Sequence, residues 1–305
     1  MKRISVLLLL VVLATGSVLA QNKVLSLDGN LDYVEVADHE SLNISEHITM
    51  EAWVKWKTLD GQIISKRPSY QLFLHNQKIE GEIFTDGKWH QQRNIEGGTR
   101  IVTDRWYHIS STYDGENIIT YVNGKFDRSL LHSGKIDIVS FPLCFGIPSD
   151  EKDEHDLFGE IDEVRIWNIA RTEAEIKANM NSNLTGKENG LVGYWNFDDG
   201  TAQDLTANGN DGEFKGDAKV VDSDLALGVS IPDPNLRAAL EKALGKNEGD
   251  AITEDDLAGL EKLVVDGGFR ENPKLTEEEK IQDITGLEYA TNLNEISLSP
   301  LSLKK

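Results

Sequence analysis

Across residues 23–221 the apolar side chains recur at every second position in short runs, each ended by an Asp-Gly, Asn-Gly or glycine-rich stretch. Successive strand side chains point to opposite faces, so this pattern predicts a series of half-buried β-strands with little helix. The clearest instance is WYHISSTYDGENIITYVNGK, residues 106–125. Strands at 106–113 and 118–122 flank Asp114-Gly115 as an antiparallel hairpin, and Asn123-Gly124 supplies the two positive φ angles of a type I′ turn. In ITMEAWVKW, residues 48–56, Ile48, Met50, Ala52, Val54 and Trp56 share one face. Trp53 lies on the other with Glu51 and Lys55, which predicts a central strand covered on both sides. Further strands are expected at 25–27, 33–36, 63–65, 71–74, 79–84, 88–94 and 143–146, with a turn at Asp86-Gly87. Edge strands at 191–197 and 213–221 complete two packed antiparallel sheets.

The period then changes. Thr172 is placed to cap a short helix at 173–180 that carries acidic residues in its first turn. After a linker at 222–230, Asp233-Pro234 opens a second helix whose apolar stripe is Leu236, Ala239, Leu240, Ala243 and Leu244. Thr253 caps a third, with Leu257 and Leu260 inward. Residues 231–305 are therefore expected to be a smaller unit of their own.

Composition sets the environment. Lys2 and Arg3 precede an apolar run from Ile4 to Leu13, and Val18-Leu19-Ala20 follows it. This is the pattern of a secretory signal peptide, residues 1–20, and the run falls short of the roughly 20 apolar residues a membrane span needs. The expected product is secreted, with no membrane insertion after cleavage. The chain holds 31 basic and 52 acidic residues; losing Lys2 and Arg3 takes the net charge from -21 to -23. Such a surface repels nucleic acid and suits calcium, a hard cation that takes carboxylate and carbonyl oxygens. Cys144, the single cysteine, excludes an intramolecular disulfide and reads as a small buried hydrophobe. The seven histidines show no zinc spacing.

The 106–125 hairpin, LSLDGNLDYVEV at 25–36 and FGEIDEVRIWN at 158–168 together resemble the laminin-G-like jelly roll of the concanavalin A-like lectin superfamily. The later W-x-F-D and G-N-D-G stretches resemble it too. The resemblance implies a mainly β, two-sheet antiparallel jelly-roll sandwich over residues 23–221. It also implies a concave sheet and rim loops that carry sugar, with aromatic rings stacked on a pyranose. Tyr70 and Trp89 are the candidate platform residues on that analogy, and core packing is the alternative for either ring. In jelly-roll relatives a structural calcium ion ties the N-terminal strand to the last core strand; the positions that match are Asp28 and Asp162. Asp28 is equally explained as a turn residue whose side chain bonds the backbone. The loop IPSDEKDEHD, with Asp150, Glu151, Asp153, Glu154 and Asp156, resembles the calcium loop of pentraxins, but residues 67–70 lack the second acidic site. Finally, IQDITGLEYATNLNEISL resembles the opening of a bacterial leucine-rich repeat module, of which scarcely one repeat is present.

The superfamily also contains laminarinase-like glycoside hydrolases, and GEIDEVRIW has a superficial likeness to their carboxylate signature. Retaining hydrolysis needs two carboxyl groups about 5–5.5 Å apart. Strand alternation places Glu160 and Asp162 on one face with Val164, followed by Arg165, and puts Glu163 on the opposite face. The second carboxylate is missing, and no nucleophile elbow, metal-hydrolase histidine pair or phosphate loop replaces it. The sequence thus reads as a secreted, non-catalytic binding or adhesion protein. Its partner is a glycan or an extracellular surface protein. The alternatives are a protein-interaction scaffold that binds no sugar, and a glycan hydrolase.

Overall fold

A computed structural model describes residues 22–149, 155–225, 227–229, 231, 233–247, 251–266 and 280–299. The expected signal peptide and the acidic residues Asp150, Glu151, Asp153 and Glu154 lie outside the described residues. In chain order the first strands are β1 (Lys23–Asp28), β2 (Tyr33–Val36), β3 (Ile48–Trp56), β4 (Gly61–Lys66), β5 (Tyr70–His75) and β6 (Lys78–Thr85). Next come β7 (Lys88–Gln91), β8 (Trp106–Tyr113), β9 (Asn117–Val122), β10 (Lys125–Leu131), β11 (Leu143–Phe145) and β12 (Phe158–Trp167). Helix α1 (Glu173–Asn179) is followed by β13 (Leu191–Trp195), β14 (Gly212–Lys215) and β15 (Lys219–Asp222).

These strands form two antiparallel sheets. One has eight strands in the order β10-β9-β8-β3-β12-β1-β15, with β13 also paired to β12; the other has seven, in the order β14-β2-β11-β4-β5-β6-β7. The hairpin at residues 106–125 forms as expected, and Asn123 (φ 51) and Gly124 (φ 68) turn the chain into β10. β3 is central, between β8 and β12, and its second face is covered because Trp53 Nε1 donates to the Met180 carbonyl at 2.6 Å beneath α1. Between the sheets lies a core that includes Leu25, Val34, Met50, Trp56, Leu72, Ile83, Ile109, Phe145, Val164 and Trp195. Trp195 meets Phe145 edge to face at 4.9 Å, a favourable aromatic geometry.

The run expected as one edge strand at 213–221 is two. Gly216 (φ 67) breaks it, so β14 edges the seven-stranded sheet against β2 and β15 edges the other against β1.

The C-terminal unit has its own core, with Leu236, Leu240, Ile252, Leu257 and Leu263 at its centre. It holds α2 (Pro234–Leu244), α3 (Glu254–Ala258), β16 (Lys262–Asp266) and β17 (Glu295–Ser299). Asp233 Oδ1 accepts from the Asn235 and Leu236 amides at the start of α2, and Gly245 (φ 68) ends the helix in the left-handed region. β16 and β17 pair in parallel. This is a small α/β region rather than a demonstrated leucine-rich repeat module: one parallel pair does not stack into an array. No helix among the described residues is long and apolar enough to cross a membrane.

Candidate functional site

Alternation along β5 and β6 sends Tyr70, Leu72, Leu74, Ile79 and Ile83 into the core, and Gln71, Phe73, Glu80 and Glu82 to the outer face of the seven-stranded sheet. Gln71 stands opposite Glu82, and Phe73 opposite Glu80. Gly81 separates the two glutamates for a steric reason: a Cβ there would lie 1.9 Å from Ser111 Oγ, so glycine lets the two sheets approach. The outer face is therefore displayed by a strand pressed tightly on its inner side.

Both carboxylates are nearly inaccessible, Glu80 at 2 % and Glu82 at 3 % exposure. Gln71 Nε2 donates to Glu82 Oε2 at 2.5 Å. Arg93 reaches over them, with Nε 3.7 Å from Glu80 Oε2 and Nη2 3.7 Å from Glu82 Oε1. Those separations give charge attraction but are too long for hydrogen bonds. Glu80 Oε2, Glu82 Oε1 and Gln71 Oε1 are consequently buried acceptors without a donor. Burial, together with the Glu80 charge, pushes the Glu82 carboxyl up to about 7 despite the Gln71 hydrogen bond. Glu80 is also raised by burial, with Arg93 opposing.

Aromatic rings border this polar strip. Trp89, half-buried on β7, meets Phe84 edge-on at 5.2 Å, and the Arg67 guanidinium lies 5.7 Å from its ring centre. Tyr70 does not join them. It is fully buried, and its hydroxyl donates to the Leu42 carbonyl at 3.1 Å. One step of alternation separates it from outward-facing Gln71, so the platform expectation for Tyr70 is corrected to core packing. Sequence reasoning passed over Glu80, Glu82, Gln71 and Arg93. IEGEIF held the signal for the glutamates, as two carboxylates two residues apart between inward-facing isoleucines.

The outer face of the eight-stranded sheet holds charges of a different kind. A bulge in β12 between Asp162 and Arg165, with Glu163 at φ 51, breaks the alternation. Val164 enters the core, whereas Glu163 turns outward: it ion-pairs with Arg165, and the Tyr194 hydroxyl donates to its Oε1 at 2.8 Å. The expectation that Glu163 opposes Asp162 is thus overturned by the bulge. Arg165 also donates to the carbonyls of Asn179 (3.0 Å) and Ser182 (2.7 Å). Arg171 Nη1 donates to Glu51 Oε1 at 2.8 Å, and its guanidinium lies 4.1 Å from the Trp167 ring centre. Burial opposes the Glu51 charge, but Arg171 and His108 overcome it and hold this carboxyl at about 2. Burial also lowers His108 below its ordinary range.

The two expected metal ligands do not converge. Asp28 pairs with Phe158 on β12, and Asp162 lies four residues further along that strand, roughly 13 Å away at about 3.3 Å per residue. Asp162 is fully buried, accepts from Asn22 Nδ2 at 3.0 Å, and is raised well above its usual range by burial and the Glu163 charge. Asp28 instead groups with Asp32 and Asp217. Glu160 pairs with Lys55 at 3.3 Å.

A laminin-G family model described as the concanavalin A-like lectin/glucanases superfamily matches residues 28–177. Among solved structures, a candidate carbohydrate-binding protein from Bacteroides ovatus aligns with a TM-score of 0.56 at 21% identity, covering 68% of this chain and 62% of that one. The chain thus spans less than two thirds of that relative's length. A heptameric SAP-like pentraxin from Limulus polyphemus aligns with a TM-score of 0.40 at 13% identity, over 52% of this chain and 82% of that one. Domain 4 of an extracellular arabinanase from Geobacillus stearothermophilus, solved with arabinotriose, aligns with a TM-score of 0.40 at 20% identity, over 50% and 74%. No curated protein sequence matches the chain. With two antiparallel sheets enclosing one core, residues 28–177 are a domain of the concanavalin A-like lectin/glucanase superfamily.

Proposed function

We propose that this is an exported, non-catalytic binding protein whose seven-stranded sheet recognises carbohydrate on its outer face. The observation that carries this reading is the set of buried acceptors Gln71 Oε1, Glu80 Oε2 and Glu82 Oε1, which have no donor. A buried acceptor without a donor is costly, and sugar hydroxyls are donors of the right kind. Arg93, half exposed and not hydrogen-bonded to either glutamate, is the side chain that yields to a ligand. Trp89 and Phe84 supply the apolar surface that the less polar face of a pyranose packs against. The carbohydrate-binding description of the Bacteroides ovatus protein supports the same class of ligand. A glycan array with the full chain, followed by titration of any hit against Glu82→Gln and Trp89→Ala, tests this. Binding that both substitutions weaken at least tenfold supports it; binding indifferent to both places the ligand elsewhere. An array with no hit favours the alternative, a protein-interaction scaffold that binds no sugar.

A second reading has its own observation. Glu80 and Glu82 are two carboxyl groups on one face of β6, one of them pushed to about 7, and unequal carboxyl pairs carry out glycoside hydrolysis. Reducing-end release from the array hits, abolished by Glu82→Gln, would move the assignment from lectin to hydrolase. The small α/β unit after the sandwich is suited to protein contact, in the manner of the opening of a leucine-rich repeat module.

A further inference from the structure

Three side chains from distant parts of the chain form a row at one end of the outer face of the seven-stranded sheet. His75 ends β5 on the face that Gln71 and Phe73 occupy by alternation. Gly61 pairs with Leu74, which sets Asp60, one residue earlier, beside His75. On the other side of β4 the Gln62 amide donates to the His155 carbonyl at 2.8 Å, so the segment leading into β12 runs along that strand. Glycine at position 61 permits this approach: a Cβ there would lie 3.0 Å from Leu157 Cδ1 and 3.1 Å from Leu157 Cα. Asp60 is thus flanked by two imidazoles.

Both rings turn the same nitrogen towards its carboxylate. His75 Nδ1 lies 3.3 Å from Oδ2, and His155 Nδ1 lies 3.3 Å from Oδ1. Oδ1 is nonetheless a buried acceptor without a hydrogen-bond donor. Leaving such an acceptor bare between two rings is costly, so the row has a coordination partner still to gain. His75 is prepared for one on its far side. Its Nε2 lies 2.7 Å from the Asn76 side-chain amide. With that amide turned to present its oxygen, Asn76 accepts from Nε2–H and leaves the Nδ1 lone pair directed at Asp60, the arrangement in which histidines hold metals.

Zinc binds histidine nitrogen at about 2.0–2.1 Å and carboxylate oxygen at about 2.0–2.2 Å, so neighbouring ligand atoms on a tetrahedral ion stand about 3.3–3.5 Å apart. Each His–Asp separation in this row already has that length. The rings address different oxygens, so closure on one ion asks for a turn of His155, the most exposed of the three side chains. We propose that Asp60, His75 and His155 bind a zinc ion, with a fourth position left to solvent. Two imidazoles and one carboxylate suit zinc rather than calcium, which takes oxygen ligands. The site shares no residue with the Glu80–Glu82 strip or with Asp28 and Asp162, and it does not rest on the carbohydrate reading.

Calorimetric titration of the full, untagged chain with zinc alone tests this, with cobalt as a spectroscopic substitute. One zinc per chain is expected, and cobalt should give the visible absorption of a four-coordinate ion. Asp60→Asn should weaken zinc binding at least about tenfold, as should His155→Asn, whose side chain tolerates the positive φ at that position. Both positions are partly exposed, so circular dichroism should show both variants folded. His90→Gln, which alters the stacked His90–His132 pair, should bind zinc as the unaltered chain does. Excess calcium should displace no zinc. The proposal is overturned if the unaltered chain takes up no zinc, if Asp60→Asn or His155→Asn retains full affinity, if His90→Gln abolishes binding, or if calcium displaces the ion.

Discussion

The two outer faces of the sandwich bury the same kinds of side chain and treat them in opposite ways. Under α1, Glu51, Glu163, Arg165 and Arg171 interlock at hydrogen-bonding distance, and Glu51 is held near 2. On the seven-stranded side, Glu80 and Glu82 are equally buried, yet their arginine stands 3.7 Å off and Glu82 is pushed to about 7. Burial alone therefore does not fix the state of a charge. Both faces keep buried polar atoms without a hydrogen-bond partner, Glu51 Oε2 and Arg165 Nε among them, and the difference lies in the distance of the arginine from each carboxylate.

Breaking the closed face should have the largest effect. Arg165→Ala strands Glu163 without its cation, and loss of one partner from a buried pair costs about 3–5 kcal/mol; urea unfolding should show it. Glu82→Gln on the open face should be neutral or stabilising at pH 8, and a loss equal to that of Arg165→Ala would erase the distinction.

The pH dependence separates the faces next. Glu82 has a folded value of about 7 against an ordinary 4.5, so its folded state holds a proton that the unfolded chain releases. Its contribution is full below about 4.5 and declines as pH rises to about 7. Glu51 has the opposite sign: its contribution is full above about 4.5 and is lost as pH falls towards 2. Glu82→Gln should flatten the stability profile between pH 5 and 7 by on the order of 2 kcal/mol, and Glu51→Gln should flatten it only below about pH 5.

A smaller effect, about 1–3 kcal/mol, is expected from Gly81→Ala, whose methyl group would collide with Ser111 and tilt the strand that displays both glutamates. Sugar affinity should fall with it if that strand is the platform. The smallest is Thr172→Ala. Thr172 Oγ1 accepts from the Glu175 amide, and the Glu175 side chain accepts from the Thr172 amide. Losing this capping box should cost about 1 kcal/mol and loosen α1 over the closed face, measurable as faster hydrogen exchange at residues 173–179.

How far these features could be read in advance depended on the range of the interactions that create them. β2, β3 and β8 were legible because alternation and turn chemistry are local. The β12 bulge was not, because its cause is the packing of Arg165 and Tyr194 outside and Val164 inside, and that defeated the alternation argument at Glu163. β10 was missed because KFDRSLL, an edge strand with exposed Phe126 and Leu131, lacks an alternating apolar face. Trp89, marked by its turn, stands half-buried on β7 beside Phe84. Tyr70 was misplaced by a single position, since which of two neighbours faces outward is set by the partner strand. Arg93 arrives from the chain beyond β7, where no short-range pattern marks its reach across β6. The meeting of Asp28 and Asp32 with Asp217 joins opposite ends of the domain, which no local period can announce.

β1 lies between β12 and β15, so the first strand of the domain is completed by two of the last. Its contacts span most of the domain, and such long-range pairing makes for slow folding. As the chain is synthesised, β1 waits with both edges bare until residues 158–167 and 219–222 have followed it. A fragment cut before Lys219 would keep one of those edges open, and an unpaired edge recruits other chains. A chain that ends at residue 177, the last of the family match, should therefore aggregate, whereas one carried through Asp222 should stay dispersed.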